Sequence, residues 1–248
     1  MIKPAFLQPD DQPTIIGKVF GAPLVVKGQT GYPLLELVTW GFLTWVARLK
    51  HPEWSSWKHV LAGGVASALT FVSEWCHNLA HVAGAYWIGK PADAIRIFWG
   101  TPLLIYYDPD DLTVTPRQHL VRALGGPVFS ISMLPVTWLV TRLTRSGSLM
   151  NYLAGFALGI NSIISCASLL PIPGLDGGAI LRWSLVEKGR TRTQADQVIQ
   201  KVNRLTGSGL AAASGIAFMH RNKGLGLGLA LFAAISLAIG FYILKEHE

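Results

Sequence analysis

The sequence predicts an all-α polytopic membrane protein of about six transmembrane helices, with a small β-hairpin and a surface amphipathic helix. Three observations predict it. Of the 248 residues, 50% are hydrophobic and only 14% charged, with mean hydropathy +0.38, whereas a soluble domain carries roughly a quarter charged residues. Six apolar stretches approach the about 20 residues that a bilayer requires. The basic residues behind the net charge of +7 are spread through short loops between those stretches. That pattern fits membrane orientation and leaves nucleic-acid binding without a supporting motif.

The elements follow in order. Residues 1–31 form an N-terminal interfacial segment. It contains Lys3, Asp10, Asp11, Lys18 and Lys27 with no long apolar run, so no cleavable signal peptide is expected. Within it, 15–21 and 23–26 read as short strands or interfacial segments. Spans one to four are expected over 32–48, 60–88, 121–141 and 149–170. Between the second and third, Ala94–Phe98 and Leu103–Tyr107 read as a small β-hairpin, and Asp108, Pro109, Asp110 and Asp111 then mark a turn. After a breaker-rich stretch, Ala195, Val198, Ile199, Val202 and Leu205 recur at i, i+3, i+4, i+7 spacing, flanked by Arg192, Lys201 and Arg204. This predicts an amphipathic surface helix ending near 205. Segment 206–219 is short and rich in Gly and Ala, a tilted span or one arm of a tight hairpin with 224–244. Cys76 and Cys166 lie in apolar helical stretches and read as small hydrophobes rather than a disulfide framework.

With six spans, 14 of the 21 Lys and Arg fall on the side that holds both termini and 7 on the other. The excess places both termini in the cytoplasm. His77 and His81, late in the second span, and Asp176, just beyond the fourth, then lie toward that same side.

His77 and His81 are four residues apart on a predicted helix, so they project from one face and can share an ion. Histidines inside a span are costly and usually have a functional partner; an interhelical hydrogen-bonding pair is the plainer alternative. Asp176 sits in Leu169-Leu170-Pro171-Ile172-Pro173-Gly174-Leu175-Asp176-Gly177-Gly178. Its prolines and glycines stop a helix and turn the backbone at membrane depth, tolerated only where protein or water surrounds it. Asp176 serves there as a third ligand or caps the next helix. Two His and one carboxylate make three of zinc's four ligands and leave one position open.

At these residues the chain resembles the site-2 protease family of intramembrane zinc metalloproteases. The family's paired-histidine helix is matched by His77 and His81. Its Asn…Pro-x-Pro-x-Leu-Asp-Gly-Gly segment is matched by Asn161 and by Pro171 through Gly178. Its Gly-Pro opening of the third span is matched by Gly126-Pro127, and its Phe-Gly-x-Pro segment by Phe20-Gly21-Ala22-Pro23. The resemblance covers most of the chain. It implies a single membrane-embedded domain over 1–248, with 171–205 carrying the Asp-Gly-Gly segment and the amphipathic helix and 206–248 carrying spans five and six. It further implies zinc on His77, His81 and Asp176, and the transmembrane helix of a membrane-protein substrate or client as partner within the lipid bilayer. Asn161 and Ser168 become candidate substrate-binding residues, Ser168 standing where the family often has a second asparagine. Gly174 replaces a common proline. No appended domain that gates substrate access is expected.

One residue departs from the family's chemistry. Where an HExxH peptidase keeps its glutamate, this chain has Asn78. That glutamate takes a proton from the attacking water and returns it to the leaving amine. Asparagine can hydrogen-bond water but cannot carry the proton, and such acid–base help is typically worth 10²–10⁴-fold. Glu74, one turn earlier on the same face, is the candidate substitute, either as base, as relay, or as a hydrogen-bonding support to a His77 nitrogen. Glu36 is a further carboxylate inside a predicted span. Three readings follow: a zinc-binding protease homologue with impaired activity, an active protease using Glu74 or another carboxylate, and a membrane metal-handling or helix-binding regulatory protein.

Overall fold

In the computed structural model, residues 12–108 and 110–245 are described. Lys3, Asp10 and Asp11 of the N-terminal segment, Pro109 of the turn, and both termini lie outside them. The described residues divide into two compact units, one built from 12–111 and 124–167, the other from 112–123 and 168–245.

The first unit combines a sheet with helices. Strands β1 (Thr14–Val19), β2 (Ala22–Val26), β3 (Ala94–Phe98) and β4 (Thr101–Ile105) form one four-stranded sheet in the order β1-β2-β3-β4. The expected hairpin is present as β3–β4, antiparallel from Ala94↔Ile105 to Phe98↔Thr101. The segments at 15–21 and 23–26 form a second hairpin, and β2 pairs in parallel with β3 through Leu24↔Ile95 and Val26↔Ile97. Both hairpins close through two residues at positive φ, Phe20 (47°) with Gly21 (78°) and Trp99 (50°) with Gly100 (97°). Two consecutive left-handed residues supply the twist that a tight hairpin needs, and glycine bears it without strain in the second position.

Helices α1 (Leu34–Lys50) and α2 (Ser56–Trp87) follow the hairpin logic on a larger scale. Ser55 caps α2 by accepting from the Lys58 amide at 3.4 Å. At their crossing, a Cβ on Gly63 would overlap Thr44, so only glycine lets the two backbones approach. The sheet packs on the later turns of α2, where Ala22, Val82, Ala92 and Ile95 form a buried cluster with Leu79 beside it. Ile95 is wholly buried, worth about 2 kcal/mol. This contact fixes the turns of α2 that carry His77 and His81. Leu43, Ala66 and Leu153 join α1 and α2 to α4 (Leu149–Ser168).

In the second unit, α5 (Asp176–Glu187) and α6 (Arg192–Met219) are tied by Arg182, whose Nε and Nη2 donate to both Asp196 oxygens at 2.6 and 3.1 Å. Trp183 stacks on His119 with ring centroids 3.7 Å apart, His119 lying in the first turns of α3 (Pro116–Leu143). Thr191 and Gln194 form a reciprocal capping box at the start of α6. Helix α6 then runs unbroken to Met219. The amphipathic helix expected to end near 205 and the segment 206–219 are therefore one helix: no proline stops it, and Gly207, which could have ended it, instead packs against Ser236 and Leu237. Its second half pairs with α7 (Lys223–Lys245) as a hairpin turned at His220–Asn222. Asn203 and Ser236 lock the pair: Asn203 Nδ2 donates to the Ser236 carbonyl at 3.0 Å, and Ser236 Oγ donates to Asn203 Oδ1 at 2.7 Å.

The architecture is mostly helical with a small sheet, but two helices among the described residues, α3 and α4, are long and apolar enough to cross a bilayer. The expected count of six is not reached on that criterion. Helix α1 has 17 residues and carries Glu36, Arg48 and Lys50; at 1.5 Å per residue it spans about 25 Å, short of a ~30 Å hydrocarbon core. Helix α2 is interrupted by His59, Glu74, His77, Asn78 and His81, and α6 opens with a charged amphipathic half.

Candidate metal centre

The surroundings of the two histidines favour a small cation between them. His77 and His81 are buried, 8% and 6% exposed, and one turn apart on α2. Their Nε2 atoms face each other at 3.2 Å. That spacing is a hydrogen bond between the two rings, and it is also close to the ~3.3 Å at which two imidazole nitrogens, each about 2.05 Å from one tetrahedral ion, would stand. The opposite ring nitrogens are held by α3. Ser130 Oγ, fully buried, lies 2.9 Å from His77 Nδ1. The Gly126 amide donates to His81 Nδ1 at 3.3 Å. With the Gly126 amide donating to its Nδ1, a neutral His81 carries its proton on Nε2, so ligation through that nitrogen requires the amide contact to give way; His77, whose Nδ1 meets Ser130, can present Nε2 as a lone pair.

Gly126 also sets how closely the helices meet. A Cβ on Gly126 would overlap the Nε2 atoms of both His77 and His81, and one on Gly125 would overlap the Ala80 carbonyl. The Gly-Gly-Pro run therefore does two jobs. It brings α3 against α2 and lets the backbone at 126 approach both Nε2 atoms, which any side chain there would overlap. The two imidazoles fit the ligand preference of zinc.

In the other unit, Asp176 is half-buried and is the first residue of α5, where a carboxylate is favoured by the helix dipole. It is presented by a tight loop. The Leu175 amide donates back to the Ile172 carbonyl at 3.0 Å, and Gly174 adopts φ +89°. Side chains on Gly177 and Gly178 would overlap the Leu169 and Ile172 carbonyls. The Asp-Gly-Gly sequence thus lets α5 start directly against the Pro-x-Pro turn, with Asp176 at its tip.

The remaining sequence-predicted residues take these places. Asn78 is half-buried, and its Nδ2 donates to the Glu74 carbonyl at 3.0 Å; the amide leans back along its own helix. Glu74 is half-buried on the same face. Ser130 meets His77 Nδ1. Asn161, 3% exposed, donates from Nδ2 to Ser73 Oγ at 3.1 Å and to the Ala157 carbonyl at 2.8 Å. It braces α4 against α2 one turn before His77. Its Oδ1 is buried with no hydrogen-bond partner among the described residues. Ser168 is the half-buried last residue of α4. Sequence reasoning missed Ser130 altogether. Its signal was a serine in an apolar span, four residues after Gly126 and hence on the same helix face, where Ser132 is not.

The buried histidine pair thus sits where α2 meets α3, its inner nitrogens facing each other, in a mostly helical fold. No family model matches the chain. A curated relative from Methanocaldococcus jannaschii, named "Putative zinc metalloprotease", is 30% identical over 83 residues, covering 34% of this chain and 42% of that protein. The match thus spans less than half of the relative's length. Among solved structures, the Site-2 Protease from Methanocaldococcus jannaschii superposes with a TM-score of 0.52 at 17% identity, covering 91% of this chain and 93% of that one. At that identity the likeness shows a shared fold, over nearly the whole chain. Together the two likenesses support the site-2 protease family, whose motifs the sequence carries.

Proposed function

We propose that this chain is a site-2-protease-like intramembrane zinc metallopeptidase homologue whose peptidase activity is impaired by Asn78. Zinc is held by His77, His81 and Asp176, each offering one ligand atom. The observation that carries the reading is the 3.2 Å approach of the two buried Nε2 atoms. When bound there, zinc would supply Lewis-acid polarisation of a peptide carbonyl or of water. Ser130 orients the ring of His77 through its Nδ1. Asn78 can hold a water or a carbonyl by hydrogen bonds but cannot accept and return a proton, which removes the main acid–base contribution to hydrolysis.

The membrane reading is part of the same proposal. The chain crosses the bilayer several times, α1, α2, α6 and α7 completing the bundle begun by α3 and α4. Both termini and the metal centre lie toward the cytoplasm, following the positive-inside distribution. The partner is a transmembrane helix of a membrane protein, held or regulated rather than rapidly cleaved.

A second reading is favoured by one observation. Glu74 is a half-buried carboxylate on the face of α2 that carries Asn78, so a water relay from it restores slow hydrolysis. Zinc stoichiometry of purified protein tests the main reading. It predicts about one zinc per chain, lost in His77→Ala and in Asp176→Ala; zinc retained after either substitution would overturn the ligand assignment. Cleavage by the wild type that Glu74→Gln abolishes would favour the second reading.

A further inference from the structure

The antiparallel pair α1 and α2 encloses a groove of about 580 Å³ lined by Glu36, Trp40, Ala68, Phe71, Val72 and Trp75 among others. That volume lies within the range of small-molecule sites. Its walls are set by hydrogen bonds rather than left to rotate. Trp40 Nε1 donates to the Val60 carbonyl at 3.0 Å, and Trp75 Nε1 donates to the Gly100 carbonyl at 2.9 Å. Backbone position is fixed too, since Ser67 Oγ donates to the Glu36 carbonyl at 3.2 Å. From Gly64 to Trp75 the groove follows α2 for about 16 Å at 1.5 Å per residue, long and narrow rather than round.

One charged group breaks this apolar lining. The Glu36 carboxylate, half-buried at the Trp75 end, lies against Gly100, where a Cβ would come within 3.0 Å of Oε1. Among the described residues this carboxylate has no ion pair and no hydrogen bond. A half-buried carboxylate at the end of an open apolar groove attracts a cation that can meet it. Charge and shape therefore select the same occupant, a slender apolar chain ending in a cationic group.

We propose that the α1–α2 groove binds a lipid whose headgroup carries a cationic amine, the amine on Glu36 and an acyl chain along Trp40, Phe71 and Val72. The site rests on the membrane reading but not on the metal centre. Its occupant holds α1 against the helix that carries His77 and His81.

The test uses full-length protein purified in detergent, with lipid retention read by native mass spectrometry against dioleoyl phosphatidylethanolamine and dioleoyl phosphatidylglycerol. The wild type is expected to hold the ethanolamine lipid about tenfold more tightly, the worth of one charge-assisted contact. Glu36→Gln removes that preference, and Ala68→Phe, which projects a ring into the groove, removes retention of both lipids. Equal retention of the two lipids by the wild type overturns the proposal without need of a variant. So does a preference that survives Glu36→Gln, or retention that survives Ala68→Phe. Zinc content is expected to be unchanged in both variants, so failure here is distinct from failure of the metal reading.

Discussion

His77 Nδ1 and Ser130 Oγ meet at 2.9 Å in a fully buried position, joining α2 to α3 through a ring whose other nitrogen faces His81. A histidine ligand held in this way keeps one tautomer and one orientation. Ser130→Ala is therefore expected to weaken zinc binding by about 10–100-fold while leaving the helical circular dichroism unchanged, with Ser130→Thr restoring most of the loss. Zinc competition with a chromophoric chelator reads the effect. Equal affinity in wild type and Ser130→Ala would remove Ser130 from the centre.

Gly126→Ala places a methyl group on the two Nε2 atoms that would ligate the ion. Zinc content is expected to fall to background in this variant. Val128, two residues further along α3 and exposed, supplies the control: Val128→Ala should bind zinc normally. A zinc-loaded Gly126→Ala protein would contradict the geometry.

Gly177 and Gly178 allow the Pro-x-Pro turn to close on α5, and a Cβ on either overlaps a backbone carbonyl. Backbone overlap is not relieved by rotating a side chain. Each alanine substitution should thus cost on the order of 2 kcal/mol and displace Asp176. Thermal unfolding in detergent together with zinc content checks both consequences; a normal melting temperature with normal zinc would show the loop to be adaptable.

Arg182 and Asp196 form a two-point ion pair in which the arginine side chain is 8% exposed and the aspartate 41%. Removing Asp196 leaves a buried guanidinium short of its partner, while the exposure of the carboxylate limits the pair's worth. Asp196→Ala is expected to destabilise by about 1–3 kcal/mol, and Arg182→Met, which removes the buried charge, by less. Denaturant titration of the two variants side by side distinguishes them.

Several of these features are readable in the chain without coordinates. The β3–β4 hairpin declares itself through two short strand-like runs, the histidine pair through spacing, and α4 through apolar length. These signals are local. The pairing of β2 with β3 joins strands about seventy residues apart, and no local pattern encodes it. Ser130 is 53 residues from His77, and its role follows from the crossing of α2 and α3 at Gly125-Gly126. The continuity of α6 escapes the sequence for another reason: the chain changes character near 205, from amphipathic to small and apolar, while its backbone has no cause to stop. Composition marks a change of surroundings there, not a helix end.

On the proposed reading, the chain keeps a metal centre and lacks the proton carrier that would make it an efficient peptidase. Cleavage of a purified transmembrane substrate helix by the zinc-loaded wild type and by Asn78→Glu, assayed side by side, separates the two halves of that reading. Asn78→Glu is expected to cleave at least ~100-fold faster than the wild type. Wild-type cleavage at a rate equal to or above that of Asn78→Glu would contradict it.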